Sequence, residues 1–228
     1  MSPVRPTVFL FDIDGTLLST DGAGRRAMER AFERHTGRRD ACAFPFAGMT
    51  DRAILRAGLE VLGGAADEGA IDALLALYVA ALEEELATAV CRVHPGVEAA
   101  LDAVLTRASS AIGLGTGNVR EGARLKLGRV GLFERFAFGG FGCDHERRDE
   151  LLRCGAERGA ALLGAPRSAC RVVVIGDTPK DVAAAQAIGA EAIAVATGPY
   201  GADALAACGA TRVFAHLAEA GALDALLG

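Results

Sequence analysis

The chain has 228 residues, 51% of them hydrophobic, with 24 lysines and arginines against 29 acids for a net charge of −5. That apolar content excludes a disordered chain and suits one large domain or a domain with an insertion. The negative balance argues against a nucleic-acid-binding surface.

The first predicted element is Thr7-Val8-Phe9-Leu10-Phe11, an apolar run too short for a helix, which predicts a fully buried strand of a parallel sheet. It ends abruptly in Asp12-Ile13-Asp14-Gly15-Thr16. Side chains alternate along a strand, so Asp12 and Asp14 project to one side at its carboxyl end, the edge where open α/β sheets bind ligands. Two carboxylates this close are tolerable at neutral pH when a divalent cation sits between them or one keeps a proton. The plain alternative is a polar strand terminus followed by an ordinary Asp-Gly turn.

From Gly22 to His35 the pattern predicts an amphipathic helix, with Met28, Ala31, Phe32 and His35 on its packed stripe and Gly37 closing it. Thr50 is suited to cap a second helix through about Leu62. Asp67 is suited to cap a third, with Ile71, Leu74, Leu75, Tyr78, Leu82 and Leu86 as its stripe. Nothing between Leu18 and Cys91 reads as a strand of the central sheet. A helical module is therefore expected at 19–94, hinged near 18–22 and 90–96, inside an α/β domain made of 1–18 and 95–228.

Strand–helix alternation then sets in: helix 96–107, strand 110–114, helix 118–130, strand 135–140, helix 149–163, strand 172–176, helix 179–188, strand 192–196, helix 203–208 and strand 212–214. The fold class this predicts is α/β, a Rossmann-like parallel sheet covered by helices on both faces, with an inserted helical bundle.

Two later strands also end in polar groups. Ala111–Asn118 runs into Thr116-Gly117-Asn118, where glycines let backbone N–H groups approach a ligand and a helix starting at Asn118 would favour an anion. Its G-x-G-x-G string is not a dinucleotide fingerprint, because the third glycine would fall at Asn118. Arg171–Gly176 runs into Asp177, with Asp181 one helical turn on, past Pro179. Three strands ending in polar groups at one sheet edge are hard to explain as packing.

With these motifs in order, the sequence resembles the haloacid dehalogenase-like phosphohydrolases. The D-x-D-x-T of Asp12–Thr16, Thr116 after its strand and the G-D-x-x-x-D of Gly176–Asp181 match that family's first, second and fourth motifs. The helical insertion and Gly48-Met49-Thr50-Asp51 look most like the phosphoglycolate phosphatase-like branch, whose cap is a helical bundle. The resemblance implies that Asp12 is the nucleophile and Asp14 the acid and base. Mg²⁺ would be held by Asp12, the backbone carbonyl of Asp14 and Asp177, with Asp181 supporting. Thr116, Gly117 and Asn118, with Gly15 and Thr16 of the first motif, would bind the phosphoryl group. The implied substrate is a small phosphorylated metabolite.

The third motif departs from the family, because the stretch Phe141–Leu151 has no lysine. Arg148 is the expected substitute and Arg147 the fallback, since a guanidinium can also neutralise phosphate. The only lysines are Lys126, expected on a helix surface, and Lys180, expected at a variable position. The bundle is expected to open and shut over Asp12, and Arg25, Arg26, Thr50, Asp51 and Arg52 are candidates to face the site. His35 is expected to pack within the first helix of the module, and no histidine is assigned chemistry.

Asp14 favours phosphomonoester hydrolysis over C–halogen or C–P cleavage. A sugar-phosphate mutase of the same family and a non-catalytic phosphate- or metal-binding regulator remain open, whereas a receiver-type phosphoacceptor would carry its acceptor on a later strand. Six cysteines without C-x-x-C or zinc spacing read as reduced thiols. With no signal-like segment and no apolar run long enough to span a bilayer, the expected setting is a cytoplasmic monomer or small homo-oligomer without membrane partners.

Overall fold

The computed structural model describes residues 5–228, so the first four residues of the expected α/β segment lie outside the described residues. The apolar run forms β1 (Thr7–Phe11), buried along its whole length. It lies inside a six-stranded parallel sheet, between β4 (Ser110–Gly115) and β6 (Arg171–Gly176), with Phe11 opposite Leu114 on one side and Ile175 on the other. Beyond β4 comes β5 (Phe138–Gly140), and beyond β6 come β7 (Glu191–Val195) and β8 (Arg212–Phe214). The chain steps outward to β5, then returns past β1 and continues the other way. That reversal creates the crevice at the carboxyl ends of the strands where such sheets take their ligands.

Alternation along the strands gives the sheet two apolar faces. Phe9, Phe11, Leu114 and Ile175 pack beneath α4 (Val97–Thr106), α5 (Arg120–Gly128) and α9 (Ala222–Leu227). Val8, Leu10, Val172 and Val174 pack against α6 (Arg148–Leu162), α7 (Pro179–Ala187) and α8 (Ala202–Ala207).

After β1 the chain leaves the sheet for α1 (Ala23–Thr36), α2 (Asp51–Val61) and α3 (Glu68–Thr88). Thr50 and Asp67 cap the last two as expected, their side-chain oxygens accepting from the N–H groups of Ala53 and Ala70. These helices enclose an apolar core of their own, built around Met28, Phe32, Leu55, Leu74 and Tyr78. Gly58 is required there, because a Cβ on it would lie 2.3 Å from the Phe32 ring. Arg26, Arg30 and Arg34 of α1 pair with Glu84 and Glu85 of α3, tying the two helices together at their surface.

The structure departs from the sequence reading in several places. The connections between bundle and sheet are paired with each other: β2 (Leu18–Ser19) and β3 (Arg92–Val93) form a two-stranded antiparallel ladder outside the main sheet. His35 is exposed in the last turn of α1, beyond the reach of the core that Phe32 enters. Helix α5 starts at Arg120, not Asn118; β5 starts only at Phe138, because Phe133–Arg135 makes a 3-10 turn; and α9 was not anticipated. No described helix is long and apolar enough to cross a membrane.

Candidate active site

The register of the sheet makes the site. Phe11, Leu114 and Ile175 are level, so the residues that follow β1, β4 and β6 emerge side by side. A cavity of about 540 Å³ opens over this edge, with Asp12, Asp14, Gly15, Gly117, Asn118, Arg148 and Asp177 in its wall. Its other side is formed by the bundle, including Arg25, Met28, Phe46, Met49, Asp51 and Tyr78. Thr16, Thr116 and Asp181 are buried behind this wall and touch groups that line it.

Around Asp12 the arrangement is acidic with one buried cation. Nη2 of Arg148 lies 3.0 Å from Oδ2 of Asp12, and Nε donates to Oδ1 of Asp181 at 2.6 Å. Arg147 points outward and pairs with Asp149, so of the two arginines it is Arg148 that meets Asp12. Nη2 of Arg148 is buried without a well-aligned hydrogen-bond acceptor, a donor held in reserve. Asp181 is spent on structure: its other oxygen accepts from the N–H and hydroxyl of Thr178, closing the capping box that starts α7.

Asp177 is fixed by the Thr16 hydroxyl, which donates to its Oδ1 at 3.0 Å, and by backbone pressed against it. A Cβ on Gly15 would fall 2.3 Å from its Oδ2, and one on Gly198 still closer. Burial, and then the charges of Asp12 and Asp181, push the Asp177 carboxyl well above the usual carboxylate range. Burial also raises Asp12, against the opposing pull of Arg148. Asp12, Asp177 and Asp181 bring carboxylate oxygens within 4.8 Å of one another. An oxygen-only cluster with more buried acid than buried base fits a hard divalent cation.

The environment of Asp14 is the opposite. Burial disfavours its charge, but the ammonium of Lys126, the hydrogen bonds from Lys126 and Asn118 and the charge of Arg148 together outweigh that and hold the carboxyl below its ordinary value. Nζ of Lys126 donates to Oδ2 of Asp14 at 2.6 Å and to Oδ1 of Asn118 at 2.7 Å, and Nδ2 of Asn118 donates to the same Asp14 oxygen at 2.8 Å. An ammonium can only donate, which fixes the orientation of the Asn118 amide. Lys126 is therefore not on a helix surface. Its side chain is only 5% exposed, on the inward stripe of α5 with Ala123 and Leu127. Two signals were present in the sequence: its i+3 spacing from Ala123, and its rarity in a chain that otherwise uses arginine.

Asn118 also differs from expectation. It precedes the N-cap of α5, and the N–H group of Val119 is taken by Asp51, whose carboxylate accepts at 2.8 Å. The anion at this helix start comes from the bundle. Burial pushes Asp51 up to about 6, against the offsetting Lys126 charge and Val119 hydrogen bond. Thr116 Oγ1 accepts from the backbone and side chain of Asn118, which leaves its hydroxyl proton for another acceptor.

Of the other bundle candidates, Arg25 lines the cavity but is engaged with the carbonyls of Cys42 and Phe44 and the face of Phe46. Arg26 pairs with Glu85, Arg52 with Glu68 and Asp72, and Thr50 donates to the Glu146 carbonyl.

The haloacid dehalogenase-like hydrolase family model matches residues 6–189. Among solved structures, a hydrolase from Pseudomonas syringae superposes with a TM-score of 0.72 at 21% identity, covering 97% of this chain and 100% of that one. CbbY from Rhodobacter sphaeroides, solved in complex with phosphate, gives 0.71 at 18% identity and the same coverage. A protein described as a predicted phosphoglycolate phosphatase from Haemophilus somnus gives 0.66 at 14%, covering 93% of this chain and 95% of that one. No curated protein matches the chain.

Proposed function

Because the chain belongs to the haloacid dehalogenase-like hydrolases, we propose that it is a Mg²⁺-dependent phosphomonoester hydrolase acting on a small phosphorylated metabolite through an aspartyl phosphate on Asp12. The observation that carries this reading is the pairing of Asp12 with Asp177 on one side and the buried Nη2 of Arg148, 3.0 Å away, on the other. Asp12 and Asp177, with the backbone carbonyl of Asp14, would hold the cation, which offsets negative charge on the nucleophile and the phosphoryl oxygens.

In the first step a carboxylate oxygen of Asp12 attacks phosphorus, the ester P–O bond breaks, and the leaving oxygen takes a proton from Asp14. In the second, Asp14 accepts a proton from water as that water attacks phosphorus and releases inorganic phosphate from Asp12. Before substrate binds, Asp14 is held charged; a phosphoryl dianion beside it raises its proton affinity, as any added negative charge does. Thr116, Gly117 and Asn118, with Arg148, bind the phosphoryl oxygens, and Gly15 and Thr16 keep Asp177 in place.

Positioning alone supplies roughly 7–11 kcal/mol of a barrier reduction that reaches about 10²¹-fold for phosphate monoesters. Charge neutralisation must supply much of the rest, and it is worth more where water is excluded. Residues 19–94 serve as the cap that excludes it, hinged on β2 and β3 over a core of 1–18 and 95–228. Phosphate release from a panel of phosphorylated metabolites with Mg²⁺, wild type against Asp12→Asn, tests the reading. Activity that survives the substitution would refute it.

A further inference from the structure

Asp51 ties the bundle to the loop that carries Asn118. Asp51, the first residue of α2, is almost fully buried although it is charged. Its N–H donates to the Gly117 carbonyl at 2.8 Å, and its carboxylate accepts the Val119 N–H at 2.8 Å. One bundle residue thus grips the loop on both sides of Asn118. Tyr78 of α3, in the core of the bundle, lines the cavity beside the same carboxylate. The contact leaves no slack, since a Cβ on Gly117 would lie 2.3 Å from the Met49 carbonyl oxygen.

Asn118 passes this grip on. Its amide and Lys126 both donate to Oδ2 of Asp14, and each also holds the other, closing a triangle of three buried or half-buried groups. Lys126 is itself covered by α1, where a Cβ on Gly24 would stand 3.4 Å from Nζ. With Oδ2 taken by two donors, Oδ1 is the oxygen left for the cavity. The lysine of this pair is buried while the Asp14 side chain opens to the cavity at 45% exposure, and burying an ammonium costs stability compared with apolar packing of equal volume. Fixing the direction of a proton-transfer group is a better account of it.

We infer that Asp51 and Lys126 form an interlock through which the seated bundle positions Asp14, Asp51 gripping the Asn118 loop and Lys126 clamping the carboxylate from the other side. This rests on the phosphatase reading of the site. Both are positioning residues: they act on the leaving group through Asp14.

Leaving-group dependence tests the interlock, because a positioned acid matters most when the leaving oxygen is a poor one. Steady-state kinetics of Asp51→Asn and Lys126→Met are to be measured on a simple alkyl phosphate and on p-nitrophenyl phosphate, with far-UV circular dichroism to verify the fold. The expected result is a loss of about 10²-fold in kcat/KM for the alkyl ester, which reports the leaving-group step alone, with little change in kcat/KM for the aryl ester and an unchanged Mg²⁺ activation constant. Equal losses on both esters, or no loss on either, would overturn the interlock and leave the phosphatase reading intact. Wild type with no Asp12-dependent release of phosphate from either ester would overturn both. Should the Asp51 variant fail to fold, Lys126→Ala with added methylammonium decides: recovery of alkyl-ester turnover supports the clamp, and its absence refutes it.

Discussion

The ammonium of Lys126 lies 2.6 Å from Oδ2 of Asp14. Arg148 stands 3.0 Å from Oδ2 of Asp12 but is shared with Asp181, so the two acids of the D-x-D pair meet different buried cations. The two acids are set apart: burial lifts Asp12 above its ordinary proton affinity against the pull of Arg148, while Lys126 and the hydrogen bonds around it hold Asp14 below. That order belongs to the metal-free, substrate-free site: a cation on Asp12 would lower its proton affinity, and a phosphoryl dianion beside Asp14 would raise that of the acid.

Removing the metal should make stability fall as pH rises. Asp12, Asp177 and Asp51 all bind protons more tightly folded than unfolded, so their contribution is present below the ordinary carboxylate range and is lost as pH climbs through their folded values. For Asp51 that window runs from 3.8 to about 6. Asp14 has the opposite sign, its contribution being lost as pH falls through its depressed value. Asp14 acts only below 3.8, outside the range of the other three, so thermal melts in chelator should show a midpoint that declines from about pH 5 to 8. Added Mg²⁺ should flatten that decline.

Asp177→Asn separates stability from activity. The substitution removes one of three mutually repelling buried carboxylates, so the metal-free variant should melt no lower than wild type, while its Mg²⁺ requirement rises by more than about 10-fold. Differential scanning calorimetry with and without Mg²⁺ checks both halves.

Arg148→Met should lower kcat by about 10²–10³-fold, the usual cost of losing one charge-stabilising donor. It should also destabilise the protein, because Asp181 and Asp12 lose their buried partner; breaking such a pair costs roughly 3–5 kcal/mol. Urea melts beside phosphate-release kinetics measure the two effects.

Gly117→Ala tests how closely the bundle loop is seated. The new methyl would meet the Met49 carbonyl at 2.3 Å, while a Cβ on Gly128, on the same helix that starts past this loop, meets nothing within 4 Å. Gly117→Ala should therefore lose activity and become more open to proteolysis between α1 and α2, and Gly128→Ala should do neither. Limited trypsin digestion of the two variants tells them apart.

The sheet and the acidic half of the site were legible because both rest on local pattern. An apolar run that stops at a polar residue marks a strand end, and the motif order placed Asp12, Thr116 and Asp177 after three strands that prove adjacent. Lys126 was not legible. Charge suggested a surface position, and only the tertiary position of α5 beneath α1 and beside Asp14 makes burial of an ammonium tolerable. Asp51 was visible as part of a motif, yet its use as the anion at the start of α5 depends on a contact between residues 68 positions apart. His35 followed the helical period correctly but lay past the end of the apolar core. The two-residue ladder of β2 and β3 and the six-residue α9 are too short to leave a periodic signal.

The central claim is that Asp12 carries the phosphoryl group during turnover. Wild type quenched with borohydride while it hydrolyses a phosphate ester with Mg²⁺, then digested for peptide mass analysis, reports on this directly, because borohydride reduces an acyl phosphate to the alcohol. The account predicts conversion of residue 12 to homoserine, dependent on substrate and metal. Reduction at another acid, or steady phosphate release with no reducible adduct at Asp12, would contradict it.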